Sequence, residues 1–141
     1  MKHIDLSNCK LLSTCIIPIR WVDMDAYHHV NNARYFDYMA ETRASYFAKI
    51  LENKDTQFVL VHASCDFKKP LVYPKTISVK QYFAEMSRTT FTLYYTFHDE
   101  QDDQVLYAMG KGILVSIDTK TTRPIPVPDH IKSLINPLTN I

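Results

Sequence analysis

Two carboxylates, Asp23 and Asp25, are followed closely by two asparagines, Asn31 and Asn32. Asparagine is a favoured helix N-cap, because its side-chain oxygen accepts from the unpaired N–H groups of the first turn. An aromatic-rich run follows directly, so a helix is expected to begin at these asparagines. A helix N-terminus carries free donors and a partial positive charge. A carboxylate just upstream of such donors can act as general base or as nucleophile on an acyl carbon, while the donors hold the developing oxyanion. The aspartates are the candidate carboxylates and the backbone N–H groups of the helix start the candidate donors, with Asn31 available as the cap itself. The plainer reading of Asp25 is a turn residue whose side chain satisfies backbone N–H groups. Asp23 is expected to hold that turn.

His28 and His29 stand inside the same turn. Adjacent histidines rarely converge on one ion, and no third ligand is suitably spaced, so a metal site is not expected. No G-x-S-x-G elbow accompanies them. His28 is a candidate for lining the site, and His29 is expected to be structural. Glu41 sits on the polar stripe of the expected helix, where an ion pair or an interface role is the simpler reading. Lys68, Lys69 and Arg88 each fall at a strand end or turn, where a cation can reach a phosphate. An ordinary solvated cation is the competing reading for all three.

The elements that must position these groups come from periodicity. Thr14 to Val22 is strand-like, and Pro18, which has no N–H to give, makes it an edge strand or a bulged one. The helix is expected over Asn32 to Leu51. Phe36, Met39, Ala40, Ala44, Phe47 and Leu51 form one stripe, and Tyr35, Tyr38, Thr42 and Tyr46 a neighbouring one. Only a narrow polar stripe is left, so a sheet curled around the helix is expected. Strands are expected over Gln57 to Phe67, Ile77 to Phe83, Thr89 to His98 and Val105 to Asp118. In the third of these, Phe91, Leu93, Tyr95 and Phe97 alternate with Thr90, Thr92, Tyr94 and Thr96. Gly110 and Gly112, the only glycines, face one way, so something bulky should approach them closely. Asp129 is placed to cap a short last helix, His130 to Ile135. One strand, one helix and four strands on short turns indicate an α+β class with an antiparallel sheet.

The stretch from Arg20 to Arg43 resembles the signature of the 4-hydroxybenzoyl-CoA thioesterase family within the hotdog-fold superfamily. The parts that match are Trp21, Asp23, Asp25, His29 to Ala33, Tyr35, Phe36 and Glu41. The likeness continues through Val59 to Tyr73 and Gly110 to Pro128. The family commonly has glycine where this chain has His28. The resemblance implies a hotdog fold, with about five antiparallel strands wrapped around one long central helix. It implies an acyl-CoA thioesterase with Asp25 as base or nucleophile and the Asn32 N–H polarising the thioester carbonyl. It implies a site between two subunits, so a homodimer is the minimum and a homotetramer is open. It places His62 and Ser64, on one face of the second strand, near the pantetheine arm; a satisfied core pair is the alternative. No metal or redox cofactor is implied.

Composition bounds the rest. The chain has 141 residues, suited to one domain over 1–141 with residues 1–10 as a short arm. It is 46% hydrophobic and 12% aromatic, which excludes a disordered chain. A formal net charge of +1 offers no electrostatic case for nucleic acid or an acidic membrane surface. Cys9, Cys15 and Cys65 make neither a disulfide framework nor a zinc site, which suits a reducing, cytoplasmic setting. No signal peptide or membrane span is expected. Two rivals to acyl-CoA hydrolysis remain at this level: a thioesterase acting on acyl carrier protein, and a non-catalytic acyl-CoA-binding module.

Overall fold

The computed structural model describes residues 5–50 and 55–139. Its elements are β1 (Lys10–Pro18), α1 (Asn32–Ile50), β2 (Thr56–Phe67), β3 (Thr76–Met86), β4 (Thr90–Asp99), β5 (Asp102–Asp118) and α2 (Asp129–Thr139). Short 3-10 turns cover Leu6–Asn8 and Trp21–Asp23. The strands form one antiparallel sheet in the order β1-β3-β4-β5-β2, which makes β1 and β2 the edges. With α1 laid across the sheet, this is the α+β hotdog arrangement.

β1 is an edge strand that ends at Pro18, and it carries a bulge between Leu11 and Ser13. It starts and stops earlier than its apolar run suggests. Trp21 and Val22 belong to the 3-10 turn and are exposed. The reason is the Asp23 side chain, which accepts from the Arg20 N–H and folds the chain back before a strand can continue.

The alternation in β4 sets the core. Phe91, Leu93, Tyr95 and Phe97 are buried against α1, with Ile77, Val79 and Phe83 of β3 beside them. Two aromatic clusters pin the two ends of the helix. Tyr35 meets Phe67 and Phe97 edge-on near the start, with ring centroids 4.9 and 5.4 Å apart. Phe47 meets Phe58 and Phe91 near the end, at 5.7 and 5.8 Å. Each such pair contributes about 0.5–1.5 kcal/mol beyond its buried area. Ile131 of α2 is fully buried and belongs to the same core.

Gly110 and Gly112 face α1, as their spacing predicts. A Cβ at Gly110 would strike Met39 Sδ, and one at Gly112 would lie 3.3 Å from Leu60 Cδ1 and 3.7 Å from Arg43 Nη1. The helix crosses the sheet where β5 has no side chains. The sheet does not enclose α1, however. Ala40, Ala44 and Ala48 remain exposed along one face and line an open groove beside β2. One chain's sheet covers the side of the helix that carries Tyr35, Tyr38, Met39 and Phe47, and the alanine stripe is left uncovered. The expected helix end at Leu51 lies outside the described residues.

Candidate active site

The site is built on the segment between β1 and α1. Its anchor is Asp23, whose side chain is 1% exposed. Oδ2 accepts from the Arg20 N–H at 3.1 Å and from the Tyr38 hydroxyl at 2.8 Å. Oδ1 accepts from Arg20 Nη2 at 3.0 Å and lies 3.7 Å from Arg34 Nε. The Asp23 carbonyl accepts from the Asn31 N–H at 2.9 Å. Burial alone would raise the Asp23 pKa. The Arg20 N–H, the Tyr38 hydroxyl and the Arg20 guanidinium outweigh it and hold the carboxyl below its usual range. Asp23 is therefore a buried, ionised clamp that ties the loop to α1. It holds the turn, as its sequence position suggests.

The clamp carries a small hairpin above it. Met24 and Val30 bridge antiparallel, and the Asp25 N–H donates to the His29 carbonyl at 2.9 Å. The His28 N–H donates back to the Asp25 carbonyl at 3.1 Å, closing a tight turn. Asp25 Oδ1 accepts from the Tyr27 N–H at 2.9 Å, an Asx turn. Among the described residues its other oxygen has no partner. His28 has φ of 64°, the left-handed region that favours glycine. That accounts for the family's glycine at this place; here a histidine bears a conformation costing about 1–2 kcal/mol. Its side chain is exposed.

α1 begins immediately after. Asn31 is the cap, since its Oδ1 accepts from the Ala33 N–H at 2.9 Å. Asn32 is the first helical residue, and its own N–H has no partner among the described residues. Asn32 lines a cavity of 230 Å³ together with His29, Tyr35, Phe67, Lys68 and Lys69, among others. A free N–H at the positive end of a helix, with two lysines beside it, suits an anion or a developing oxyanion. Asp25 is not among the lining residues of this cavity. It stands on the adjoining hairpin, joined to His29, which is.

Residues 19–135 match the Thioesterase-like superfamily. The chain belongs to that superfamily. The PA2801 protein of Pseudomonas aeruginosa, named as a thioesterase candidate, is 36% identical, with 89% of this chain and 99% of that one covered at a TM-score of 0.83. The long-chain acyl-CoA thioesterase FadM of Escherichia coli is 26% identical over 125 residues, 82% of this chain and 91% of its own length. The 1,4-dihydroxy-2-naphthoyl-CoA thioesterase of Synechocystis shares the fold at a TM-score of 0.74, with 22% identity over 86% of this chain and 93% of its own.

In this thioesterase-like chain the other candidate residues are distributed unevenly. Lys68 and Lys69 lie at the cavity, and both of their N–H groups donate to the Tyr107 carbonyl, at 2.8 and 3.1 Å. Arg88 sits in the β3–β4 turn, at the opposite end of the sheet, roughly 30 Å away by strand rise. His62 and Ser64 share a face, as expected. The β2–β5 register sets them beside Ile113 and Lys111, while Ala63 and Cys65 pair with the glycines that face α1. They therefore point to the side of the sheet away from Asn32. His62 is exposed, so the two are not a core pair. Glu41 is exposed on the helix and forms no ion pair among the described residues. Sequence reasoning missed Tyr38 as a polar anchor, counting it only in an apolar stripe. The available signal was its hydroxyl, which needs a partner when the ring is buried. Among the described residues no group of three or more metal-ligating side chains is gathered, and no helix is long and apolar enough to cross a membrane.

Proposed function

We propose that this protein hydrolyses acyl-CoA thioesters at the start of α1. The observation that carries the reading is that Asn32, whose N–H has no partner among the described residues, lines a cavity together with Lys68 and Lys69. The thioester carbonyl accepts from that N–H. Water attacks the carbonyl carbon, Asp25 takes its proton, and the oxyanion that forms is held by the helix start. The C–S bond then breaks, coenzyme A leaves as its thiol and the free acid remains. The same atoms balance if Asp25 itself attacks, giving a mixed anhydride that water later opens. One preorganised donor contributes about 3 kcal/mol to such a step. Lys68 and Lys69 would steady the phosphates of the carrier.

The working unit is proposed to be a dimer through β2. That strand is an edge, and Val59, Leu60 and Val61 on it are 39%, 39% and 58% exposed. Such an edge presents unpaired backbone groups beside apolar surface. Two copies pairing β2 antiparallel about a two-fold axis bring the Phe67 end of one beside the Thr56 end of the other. The same operation carries a second copy's Arg88 toward the first copy's site, which gives that residue a route to substrate that one chain lacks.

A binding-only module is the second reading. The Asx turn favours it, because Asp25 Oδ1 is already engaged by the Tyr27 N–H. Thiol release from a panel of short, long and aromatic acyl-CoAs, run on wild type and Asp25→Asn, separates the two. Turnover lost in the variant supports hydrolysis. Tight acyl-CoA binding with no turnover in the wild type supports the module, and turnover restricted to acyl carrier protein moves the substrate.

A further inference from the structure

The groove between the alanine face of α1 and β2 is separate from the Asn32 cavity. It has a volume of 480 Å³ and is walled mainly by apolar groups, Ala44, Phe47, Phe58 and Leu114 among them. Arg43 lines it too. Among the described residues no carboxylate lies within ion-pair distance of this guanidinium. Its contacts are with an aromatic ring. Nη1 donates to the Tyr95 hydroxyl at 3.5 Å, and Cζ lies 6.0 Å from the centroid of that ring.

Tyr95 is held in turn. Its hydroxyl donates to Gln81 Oε1 at 2.8 Å, and Gln81 Nε2 donates to Ser13 Oγ at 3.2 Å. Tyr95 and Gln81 are both fully buried. Every donor in this chain points away from Arg43, so the network consumes one guanidinium N–H and offers it no anion. Arginine has five N–H donors in a planar fork; the fork is matched to carboxylate or phosphate oxygens, and any one N–H can also donate to a hydroxyl oxygen. The guanidinium lies over Gly112, where an added Cβ would be in ordinary contact with Nη1 at 3.7 Å. Arg43 is half-buried at the edge of the open groove, and its remaining N–H groups are there for an acceptor oxygen on a ligand to take.

We infer that Arg43 is a specificity residue that selects acyl groups carrying a hydrogen-bond-accepting oxygen at their far end. The inference rests on the proposed dimeric thioesterase. Along its own helix Arg43 is about 16 Å from Asn32. In the β2-paired dimer a second copy's Asn32 end lies beside Gln57 and Phe58, which line the groove. The acyl chain then runs from the second copy's helix start into this chain's groove, with its methylenes on the alanine face and its terminal oxygen on Arg43.

The test compares dodecanedioyl-CoA, 12-hydroxydodecanoyl-CoA and dodecanoyl-CoA, which share a chain long enough to run from the second copy's helix start to Arg43 and differ at the far end. The wild type should favour one or both oxygen-bearing substrates in kcat/KM. Arg43→Met should lower that preference by about tenfold or more. Loss with dodecanedioyl-CoA alone identifies a carboxylate; loss with both identifies any accepting oxygen. Arg43→Gln, which keeps a donor but no charge, serves if the methionine variant does not fold. A wild type that prefers dodecanoyl-CoA, or a preference unchanged in the variants, overturns the inference. If no thioester is hydrolysed, calorimetric binding of dodecanedioyl-CoA and dodecanoyl-CoA still reads it. Arg43-dependent preference for dodecanedioyl-CoA then keeps the groove assignment while the thioesterase reading fails; equal binding sinks both.

Discussion

The Tyr38 hydroxyl donates a 2.8 Å hydrogen bond to Oδ2 of the buried Asp23, joining α1 to the loop that precedes it. The bond links the helix whose start is the proposed oxyanion donor to the hairpin that carries Asp25, the proposed base. Removing the hydroxyl leaves a buried anion short of a donor. Tyr38→Phe should therefore cost about 1–3 kcal/mol, read from urea denaturation midpoints. Its hydrolytic rate should fall as well, since Asp25 rides on the same loop. The clamp also has a pH signature. The Asp23 pKa is lowered in the fold, whereas an unfolded aspartate titrates near about 3.9. Its contribution is complete above the unfolded value and is lost as pH falls through the folded one. Asp23→Asn should lower stability at neutral pH and lose less stability than wild type on acidification to about pH 3.

Asn32 offers a test of the main chain itself. It is the first helical residue, where proline is tolerated because the N–H has no intrahelical partner. Asn32→Pro should keep the helix and lower kcat by about a hundredfold to a thousandfold, the range for losing one oxyanion donor. Asn32→Ala retains the N–H and should retain most of the rate. Equal losses in the two variants, with circular dichroism unchanged, would assign the role to the side chain instead.

Gly110 tests the crossing of α1 over β5. A Cβ there meets Met39 Sδ, the outer part of a flexible but fully packed side chain. Gly110→Ala should destabilise by about 1–3 kcal/mol. Combined with Met39→Ala, the cost should be less than the sum of the two single changes, because the added methyl occupies the vacated space. Additive thermal-denaturation values would mean that the two residues do not share that space.

His98 gives a second pH dependence, on the face of the sheet away from α1. Its Nδ1 lies 2.7 Å from the Asp103 carbonyl, which can only accept, so Nδ1 carries the proton. Nε2 lies 2.7 Å from Thr96 Oγ1 and accepts from it when neutral. Burial lowers the His98 pKa, and the Asp103 carbonyl only partly offsets this. The neutral ring is favoured in the fold, while the unfolded ring takes up a proton near about 6.5. Stability should thus be full above that value and decline as pH falls toward the folded pKa. Melting temperatures at about pH 7.5 and about pH 5 should differ less in His98→Gln than in wild type.

The sequence by itself determined the features with a local cause. Alternation of Phe91, Leu93, Tyr95 and Phe97 with three threonines and Tyr94 makes β4 and its face toward α1. Asparagine capping starts α1 at Asn32, and the i, i+2 glycines mark where the helix presses on β5. The signature around Asp25 also names the superfamily, because it records chemistry in consecutive residues. Tertiary structure decided what depends on partners distant in the chain. Trp21 and Val22 read as strand until Asp23 bonds back to Arg20 and on to Tyr38. His62 and Ser64 share a face by period two, but only pairing with β5 says which face. Lys69 and Arg88 look equivalent as strand-end cations, and the sheet puts them at opposite ends. Arg43 carries no local signal, and only the fold brings Tyr95 of β4 beneath it. Short-range periodicity encodes an element and its apolar side. Which side chains meet across elements is set by register and crossing, and no local pattern specifies those.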